Sequence, residues 1–292
     1  MPVRIDHVIV AAADLAQLEA AFTQLGFHVV GGGQHPHLGT RNRVILLDQG
    51  YIELLAIADE RAVSPAVRDR IASAPGWIGF ALQSGDITAE AAEMRARGAD
   101  VHGPTPGKLV APNGATRSWQ TVTVSGEDLF SAAEPIPFLI QHDSSGAQRQ
   151  RELAGADAIM PHPNGAQRLQ AVCLAVANLV EAEQTFERDY GLSATEPVEV
   201  VPFVHAMLTL KMPTGGECIR LAEPLGDGIV HDRLVNAGEG ICYVAITVSD
   251  LDATRSFLQR SGVSYTQWEE GLMIPATVTG GAPLAFVTDV AE

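Results

Sequence analysis

The chain has 292 residues, more than one average domain, so two domains are the first expectation. Its formal net charge of −16 at pH 7 gives a surface that repels phosphate backbones, which argues against nucleic acid as a partner. Hydrophobic residues make up 46% and charged residues 18% of the chain, a composition that argues against a disordered chain and is enough to fill globular cores.

Cysteine usage and hydropathy indicate the compartment. The three cysteines, Cys173, Cys218 and Cys242, are widely spaced and odd in number, which excludes a complete disulfide framework and favours a reducing compartment. The N-terminus carries Asp6 and His7 where a signal peptide needs an apolar run, and no stretch of about 18 apolar residues is present to span a membrane. We therefore expect a cytoplasmic protein with no membrane partner.

The first predicted elements form one β-α-β-β-β module. A short apolar run at residues 3–10 predicts a strand. Asp14 is placed to cap the following helix and Gly26 to close it, with apolar residues at helical spacing between them. After further strand-like stretches, two strands at residues 39–47 and 51–57 are predicted to flank a tight turn.

Three later helices repeat this layout, each with a capping Asp or Asn at its start and a glycine 12 or 13 residues further on. The pairs are Asp86 with Gly98, Asn178 with Gly191, and Asp250 with Gly262. Successive caps, counted from that of the first helix, are separated by 72, 92 and 72 residues. This spacing indicates two copies of a two-module unit, offset by 164 residues along the chain.

The 20 surplus residues of the middle interval fall in a polar, Pro- and Gly-rich stretch that is typical of a linker. We therefore predict a first domain of modules one and two at residues 1–143, a linker at 144–166, and a second domain of modules three and four at 167–292. The repeat predicts that the two domains superpose, each with two helices packed outside an antiparallel sheet.

Three segments of the first module carry a resemblance to a known family. They read IDHVIVAAADL, GGGQHPHLGTRNRVILL and GYIELLAI, and they resemble the opening of the glyoxalase-like families of the vicinal oxygen chelate superfamily. That superfamily also contains methylmalonyl-CoA epimerases, extradiol dioxygenases and fosfomycin and bleomycin resistance proteins. The resemblance implies an α+β chain in which four βαβββ modules form two glyoxalase/bleomycin-resistance/dioxygenase-type domains, each a half-open barrel.

The resemblance also implies a divalent metal inside the first barrel, held by the first and last strands of each module. Carried onto this sequence, the metal ligands are His7, Glu53 and, in the second module, Gln141. Imidazole and carboxylate suit Zn²⁺, Fe²⁺, Mn²⁺, Ni²⁺ or Co²⁺. Strand alternation places His7 on one face with Ile5 and Ile9.

This ligand set is incomplete, so a site without a metal is an equal alternative. The other module positions that match His7 and Glu53 hold poor ligands, namely Gly79, Ala171, Tyr243 and Arg220. His7 could also be a hydrogen-bonded core histidine. The segment from His35 to His37 favours a surface turn, although either imidazole, or that of His142, would add a donor.

Polar residues near the predicted metal site are candidates for substrate binding. Arg41, Asn42 and Arg43 share one strand, and alternation sends either Asn42 or the two arginines inward. An inward arginine would bind a carboxylate or phosphate through two hydrogen bonds. Arg117 and Trp119 offer a similar pair in the second module. The predicted substrate-binding residues are therefore Asn42, Arg41, Arg117 and Trp119.

The leading hypothesis is a metal-dependent lyase or isomerase of the glyoxalase type that acts on a small oxygenated substrate, with Glu53 moving the proton. The alternative is a metal-free small-molecule binding protein of the resistance or sequestration type. An extradiol-type dioxygenase ranks lower, because the resemblance places its ligands in the second domain, where the matching positions lack them. The expected partner is a small-molecule substrate, and a homodimer is compatible with the sequence.

Overall fold

The computed structural model describes residues 1–126, 136–149, 161–200, 204–214, 216–268 and 271–289. These residues form two sheets of eight strands each, with helices between the strands. Within these ranges, every helix is too short or too polar to cross a membrane. The predicted linker extends into residues 150–160, which lie outside the described part of the chain.

The elements follow the predicted modular order in both halves. The first half contains β1 Arg4–Ala11, α1 Leu15–Gln24, β2 Val30–His35, β3 Thr40–Leu46, β4 Tyr51–Ile57, α2 Pro65–Ser73, β5 Gly76–Gln83, α3 Ile87–Ala96, β6 Val101–Val110, β7 Thr116–Val124 and β8 Phe138–His142. The second half contains β9 Ala166–Ala175, α4 Leu179–Tyr190, β10 Val198–Val200, β11 His205–Lys211, β12 Cys218–Pro224, α5 Ile229–Ala237, β13 Gly240–Val248, α6 Leu251–Arg260, β14 Thr266–Trp268, β15 Gly271–Ile274 and β16 Leu284–Val287. The prediction of an α+β chain with four βαβββ modules in two domains is confirmed.

The first sheet is a closed barrel and the second is open. Strands of the barrel follow the order β1-β4-β3-β2-β6-β7-β8-β5, and the pairing of Gln34 with Val110 closes it between β2 and β6. The prediction of purely antiparallel sheets is wrong, because the first and last strands of each module pair in parallel. The helix after the first strand carries the chain back to its starting end, so the last strand runs in the same direction as the first.

The predicted helix caps are confirmed in all four modules. Each capping side chain accepts a backbone N–H from the first turn of its helix, and the structure shows this for Asp14, Asp86, Asn178 and Asp250. The closing glycines adopt positive φ angles of 88°, 96°, 69° and 66°, at Gly26, Gly98, Gly191 and Gly262. Side chains are strained at such angles, which is why glycine recurs there.

A further pair of helices extends the repeat beyond the predicted modules. Helix α2 begins at Pro65 and α5 at Ile229, and the strands that follow begin at Gly76 and Gly240. Both separations equal the 164-residue offset of the caps. Only α2 carries a clear start signal, because Ser64 accepts a hydrogen bond from Val67 whereas α5 has no side-chain cap. Because α5 lacks a capping side chain, the repetition of this helix pair is not visible from the caps in the sequence.

The two sheets pack against each other through one shared core, and each sheet has a separate apolar cluster as well. Phe27 of the first half stacks on Phe286 of the second, with ring centroids 5.9 Å apart. Trp77 Nε1 donates a 2.7 Å hydrogen bond to the Pro283 carbonyl. The interior of the first barrel has an apolar cluster separate from this shared core, and it holds His7 and Glu53.

Candidate functional site

The interior of the first barrel contains a cavity of about 160 Å³. Aliphatic and aromatic side chains form much of its wall, including Tyr51, Trp119 and Phe138. The polar side chains that line it include His7, His35, Asn42, Glu53, Arg117 and His142. A concave, mostly apolar pocket with a few convergent polar groups is the usual form of a small-molecule site.

Glu53 is the polar centre of this cavity. Its Oε1 atom accepts a 2.7 Å hydrogen bond from Asn42 Nδ2. Its Oε2 atom lies 3.6 Å from His7 Nε2, and Oε1 lies 3.8 Å from His35 Nε2. The carboxylate is buried, and an ionised Glu is seldom buried without such partners. The predicted meeting of His7 and Glu53 in one cavity is confirmed, while their chemical roles stay predictions.

A bulge in β1 sets the orientation of His7. The pairing of β1 with β5 shifts between Ile5 and His7, so Ile5 packs in the shared core and not beside His7 as simple alternation predicted. His7 Nδ1 lies 2.8 Å from Asp6 Oδ1, and its ring stacks on Tyr51 at 4.5 Å. With Nδ1 occupied by Asp6, the Nε2 atom of His7 is directed toward Glu53.

Asp6 remains a carboxylate although it is buried. Burial raises its pKa, but the neighbouring His142 and His7 outweigh burial and hold the pKa of Asp6 well below its usual range. Arg149 adds a cation 3.5 Å from Oδ2. An ionised carboxylate is only an acceptor, so the two imidazoles donate their protons to it.

His35 belongs to the site and not to a surface turn, so the sequence interpretation was wrong at this residue. It is the last residue of β2 and is buried, with Nδ1 lying 2.9 Å from Thr40 Oγ1. Burial lowers the pKa of His35, which keeps the ring neutral, while Glu53 opposes that shift. The irregular pairing of β2 with β3 obscures the alternation that would have marked His35 as inward.

Strand β3 sends Asn42 inward and its two arginines outward. Asn42 is buried and its Oδ1 accepts a 3.0 Å hydrogen bond from Gly33 N. Arg41 is exposed, and Arg43 pairs with Glu19 at 3.0 Å. The predicted substrate role of Arg41 is therefore wrong, because alternation turns its side chain away from the cavity.

Gln141 is also turned away from the cavity, which corrects its assignment as a metal ligand opposite His7. Its Oε1 accepts a 2.8 Å hydrogen bond from Ile87 N at the start of α3. Ile9 and Ala81 are equivalent residues in the first strands of modules one and two. Ile9 pairs with Glu53 and Ala81 pairs with Phe138, so Phe138, and not Gln141, occupies the position equivalent to Glu53. Helix caps align the first strands of the modules but do not fix the register of the last ones.

Arg117 and Trp119 both line the cavity from β7, as predicted. The Trp119 indole lies directly on the backbone of Gly107, where an added Cβ would be 2.1 Å from Nε1. Trp119 also meets His35 edge-on, with ring centroids 5.8 Å apart. The lack of a side chain at Gly107 therefore lets the Trp119 indole form one wall of the cavity. The Arg117 guanidinium is carried by the same strand as Trp119.

The family model described as a glyoxalase-like domain matches residues 5–190, more than half of the chain. The chain belongs to the glyoxalase-like family. A second model, described as the glyoxalase/bleomycin resistance protein/dioxygenase superfamily, matches residues 170–276 of this glyoxalase-like protein. A comparison with curated proteins finds no match.

Solved structures share the fold of this glyoxalase-like protein. A hypothetical protein from Staphylococcus aureus superposes with a TM-score of 0.69 at 16% identity, covering 98% of this chain and 100% of that chain. A mutant 4-hydroxymandelate synthase from Streptomyces coelicolor superposes with a TM-score of 0.67 at 16% identity, covering 100% of this chain and 95% of that chain. A methylmalonyl-CoA epimerase from Mycobacterium tuberculosis is 24% identical, with a TM-score of 0.41 and coverage of 45% and 94%.

The second, open sheet of the glyoxalase-like protein has different residues at the matching positions. Arg220 pairs with Cys173 in β12 and β9, as Glu53 pairs with Ile9 in the first barrel. Ala171 stands where the first barrel has His7. A guanidinium therefore stands in the second sheet where the first barrel has the carboxylate, which gives the two halves of the repeat different chemistry.

The residues of the first barrel fit part of a divalent metal site. Two imidazole Nε2 atoms face one carboxylate, and their Nδ1 atoms are fixed by Asp6 and Thr40, which is the usual way in which metal-binding imidazoles are oriented. No group of three or more His, Cys, Asp or Glu side chains in the described part of the chain is arranged as a metal site. The described residues supply two donors, His7 and Glu53, with His35 as the next imidazole, and ligands from outside the chain would fill the other positions of a metal.

Proposed function

We propose that this protein is a lyase or isomerase of the glyoxalase type, which moves a proton on a small oxygenated substrate bound in the first barrel. The observation that carries the proposal is the buried Glu53 carboxylate, which lies between two imidazoles in a largely apolar cavity. Ionisable groups gathered in this way occur where proton transfer or metal binding is required. A carboxylate with a purely structural role would not need to line a cavity that can hold a small molecule.

The cavity indicates the size and character of the substrate. Its volume of about 160 Å³ is close to that of a cavity of about 150 Å³ that accepts benzene. Tyr51, Trp119 and Phe138 supply aromatic surface, and Arg117 supplies a cation. A compact molecule with an apolar body and an anionic oxygen function, such as a small 2-hydroxy or 2-oxo acid, would match these walls.

A divalent metal would be held by His7 and Glu53, with His35 as the nearest further donor. Such a metal supplies Lewis-acid stabilisation of negative charge on substrate oxygen. The chain itself fixes the two donors, because Asp6 orients His7 and Asn42 holds one oxygen of Glu53. These contacts reduce the reorganisation needed when a ligand enters.

A metal-free binding protein that sequesters a small molecule is the second candidate. The observation that favours it is the incomplete donor set, since the described residues contain no group of three side chains in the geometry of a metal site. The same aromatic walls and Arg117 would serve to bind a small anion without a reaction. The two candidates differ in whether a bound molecule exchanges carbon-bound hydrogen with solvent.

Exchange of hydrogen for deuterium tests the proposal across a range of candidate substrates. The protein, loaded in turn with Zn²⁺, Ni²⁺, Co²⁺, Mn²⁺ or Fe²⁺, would be incubated in D₂O with a panel of small 2-hydroxy and 2-oxo acids and followed by proton NMR. We expect exchange at the carbon next to the oxygen function, lost in His7→Ala and Glu53→Gln and kept in Arg41→Ala, which alters an outward side chain. Binding without exchange by any panel member would favour the sequestration protein.

A further inference from the structure

A single carboxylate orients two imidazoles on opposite modules of the first barrel. Asp6 Oδ1 lies 2.8 Å from His7 Nδ1 in β1 and 3.2 Å from His142 Nε2 in β8. Both histidines line the cavity, and both are nearly buried. The two rings meet Asp6 through different nitrogens, Nδ1 of His7 and Nε2 of His142.

These contacts assign a protonation pattern to each ring. Asp6 Oδ1 lies within hydrogen-bond distance of both rings, and a carboxylate only accepts, so the proton of a neutral His7 is on Nδ1 and that of a neutral His142 is on Nε2. The lone pair of His7 is then on Nε2, directed at Glu53. The lone pair of His142 is on Nδ1, which has no hydrogen-bond partner among the residues that the structure describes.

We propose that His142 is the proton-carrying residue of this site and that Asp6 is its positioning residue. The inference rests on the proposed function, and it differs from the sequence prediction, which gave proton transfer to Glu53. His7 and Glu53 are directed at each other and would be engaged by a bound metal or by their mutual contact. The basic nitrogen of His142 takes part neither in metal binding nor in the contact between His7 and Glu53. The residue of module two that is equivalent to Glu53 is Phe138, so His142 is a different position.

The proposed step removes a proton from the substrate carbon next to the oxygen function and returns a proton to the same carbon. The C–H bond breaks, its proton bonds to His142 Nδ1, and the electron pair passes onto the oxygen of the adjacent carbonyl or carboxylate as an enolate. The N–H bond then breaks, and the electron pair of the enolate forms a new C–H bond with this proton, or with a deuteron that has replaced it from solvent. No other reactant is consumed. The Asp6 carboxylate stabilises the imidazolium formed between the two stages, and Arg117 lines the cavity that holds the enolate.

His142→Gln separates this role from metal binding, since glutamine retains a donor for Asp6 but has no basic nitrogen. In the D₂O exchange assay we expect a loss of about 10² to 10⁴-fold in the exchange rate with KM unchanged. Ni²⁺ affinity by titration calorimetry should equal that of the wild type. His102→Gln is the matched control, because His102 is a partly exposed histidine on β6 that does not line the cavity. His142→Asn serves as the second variant where His142→Gln does not fold.

Asp6→Asn tests the positioning role. We expect a fall in kcat greater than any change in KM, together with a mixed tautomer signal for His142 in ¹⁵N NMR spectra, where the wild type shows the Nε2-protonated form. Wild-type exchange rates in His142→Gln, or joint loss of Ni²⁺ binding and exchange, would overturn the assignment of His142 and leave the proposed function intact. Absence of exchange in the wild-type protein with every panel member and metal would overturn both.

Discussion

Asn42 Nδ2 donates a 2.7 Å hydrogen bond to Glu53 Oε1, and the two side chains lie on neighbouring strands of the first barrel. The same Asn42 accepts a hydrogen bond from Gly33 N, so it joins three strands at the polar centre of the cavity. Asn42 therefore holds one oxygen of the Glu53 carboxylate and ties it to the neighbouring strands.

Removal of that amide should weaken both the fold and the site. Asn42→Ala removes the hydrogen bonds to the buried Glu53 Oε1 and to the half-buried Gly33 N, which should lower the free energy of unfolding by about 1–3 kcal/mol. Urea denaturation measures the loss, and the exchange assay should show a reduced rate. Arg41→Ala, one residue away and exposed, should change neither. Equal stability of the two variants would show that the amide does not support Glu53.

Two glycines with positive φ angles should differ in their tolerance of alanine. An added Cβ at Gly98 meets nothing within 4 Å, so Gly98→Ala should cost only the backbone strain of about 1 kcal/mol. At Gly76 the same atom would lie 2.0 Å from the Gly281 carbonyl oxygen, at the contact between the two halves. Gly76→Ala should therefore cost more, in the range of about 1–3 kcal/mol or above for overpacking. Similar urea midpoints for the two variants would refute the close approach.

The cap of the first helix should contribute a measurable amount of stability. Asp14 Oδ1 accepts a 2.9 Å hydrogen bond from Ala16 N, and no other acidic residue lies in the first turn. Asp14→Ala should lower the free energy of unfolding by about 1 kcal/mol, whereas Asp14→Asn should retain most of it. An unchanged urea midpoint for Asp14→Ala would show that the helix does not depend on this side chain.

His162 should make the packing of the two halves sensitive to pH. His28 N donates to its Nδ1 at 3.0 Å, and its Nε2 lies 2.8 Å from the Leu46 carbonyl, so the native contacts require a neutral ring. Burial lowers the pKa of His162 from 6.5. The unfolded chain then binds the proton at a higher pH than the folded chain, so this stability is present above about pH 6.5 and is lost as pH falls through the folded-state pKa.

A glutamine in place of His162 removes this titration. Between about pH 7.5 and about pH 5.5, the free energy of unfolding from urea denaturation should fall more steeply for the wild type than for His162→Gln. The comparison cancels the contributions of the other titrating groups that the two proteins share. Parallel pH profiles would show that His162 does not contribute to the pH dependence of stability.

The sequence predicts the modular fold well because its signals are local. Asp14, Gly26 and their later counterparts act within one helix each, and their fixed spacing reveals the repeat without tertiary contacts. His7 and Glu53 were also predictable, since one is a polar residue in an apolar strand and the other is flanked by Ile52 and Leu54. Each of these inferences needs only alternation or helical spacing.

The remaining site residues depend on register, which local patterns do not fix. Gln141 was matched to Glu53 because the sequence FLIQH resembles YIELL, whereas the pairing with β5 places Phe138 at that position. The bulge at Asp6 brings a carboxylate into contact with both His7 and His142, and irregular pairing in β2 turns His35 inward. Bulges and inter-strand register arise from the assembled barrel, so they are not visible in the order of residues alone.

The most direct test of the central claim is the metal content of the purified protein, made without a histidine tag and analysed by elemental analysis before and after loading. The account predicts about one divalent ion per chain, the number held by one site of this kind. The ion should be absent from His7→Ala and retained in Gln141→Ala and Arg220→Ala, whose side chains lie outside the first cavity. A folded wild-type protein that binds no metal even after loading, or a His7→Ala variant that keeps its metal, would contradict a metal-dependent site at His7 and Glu53.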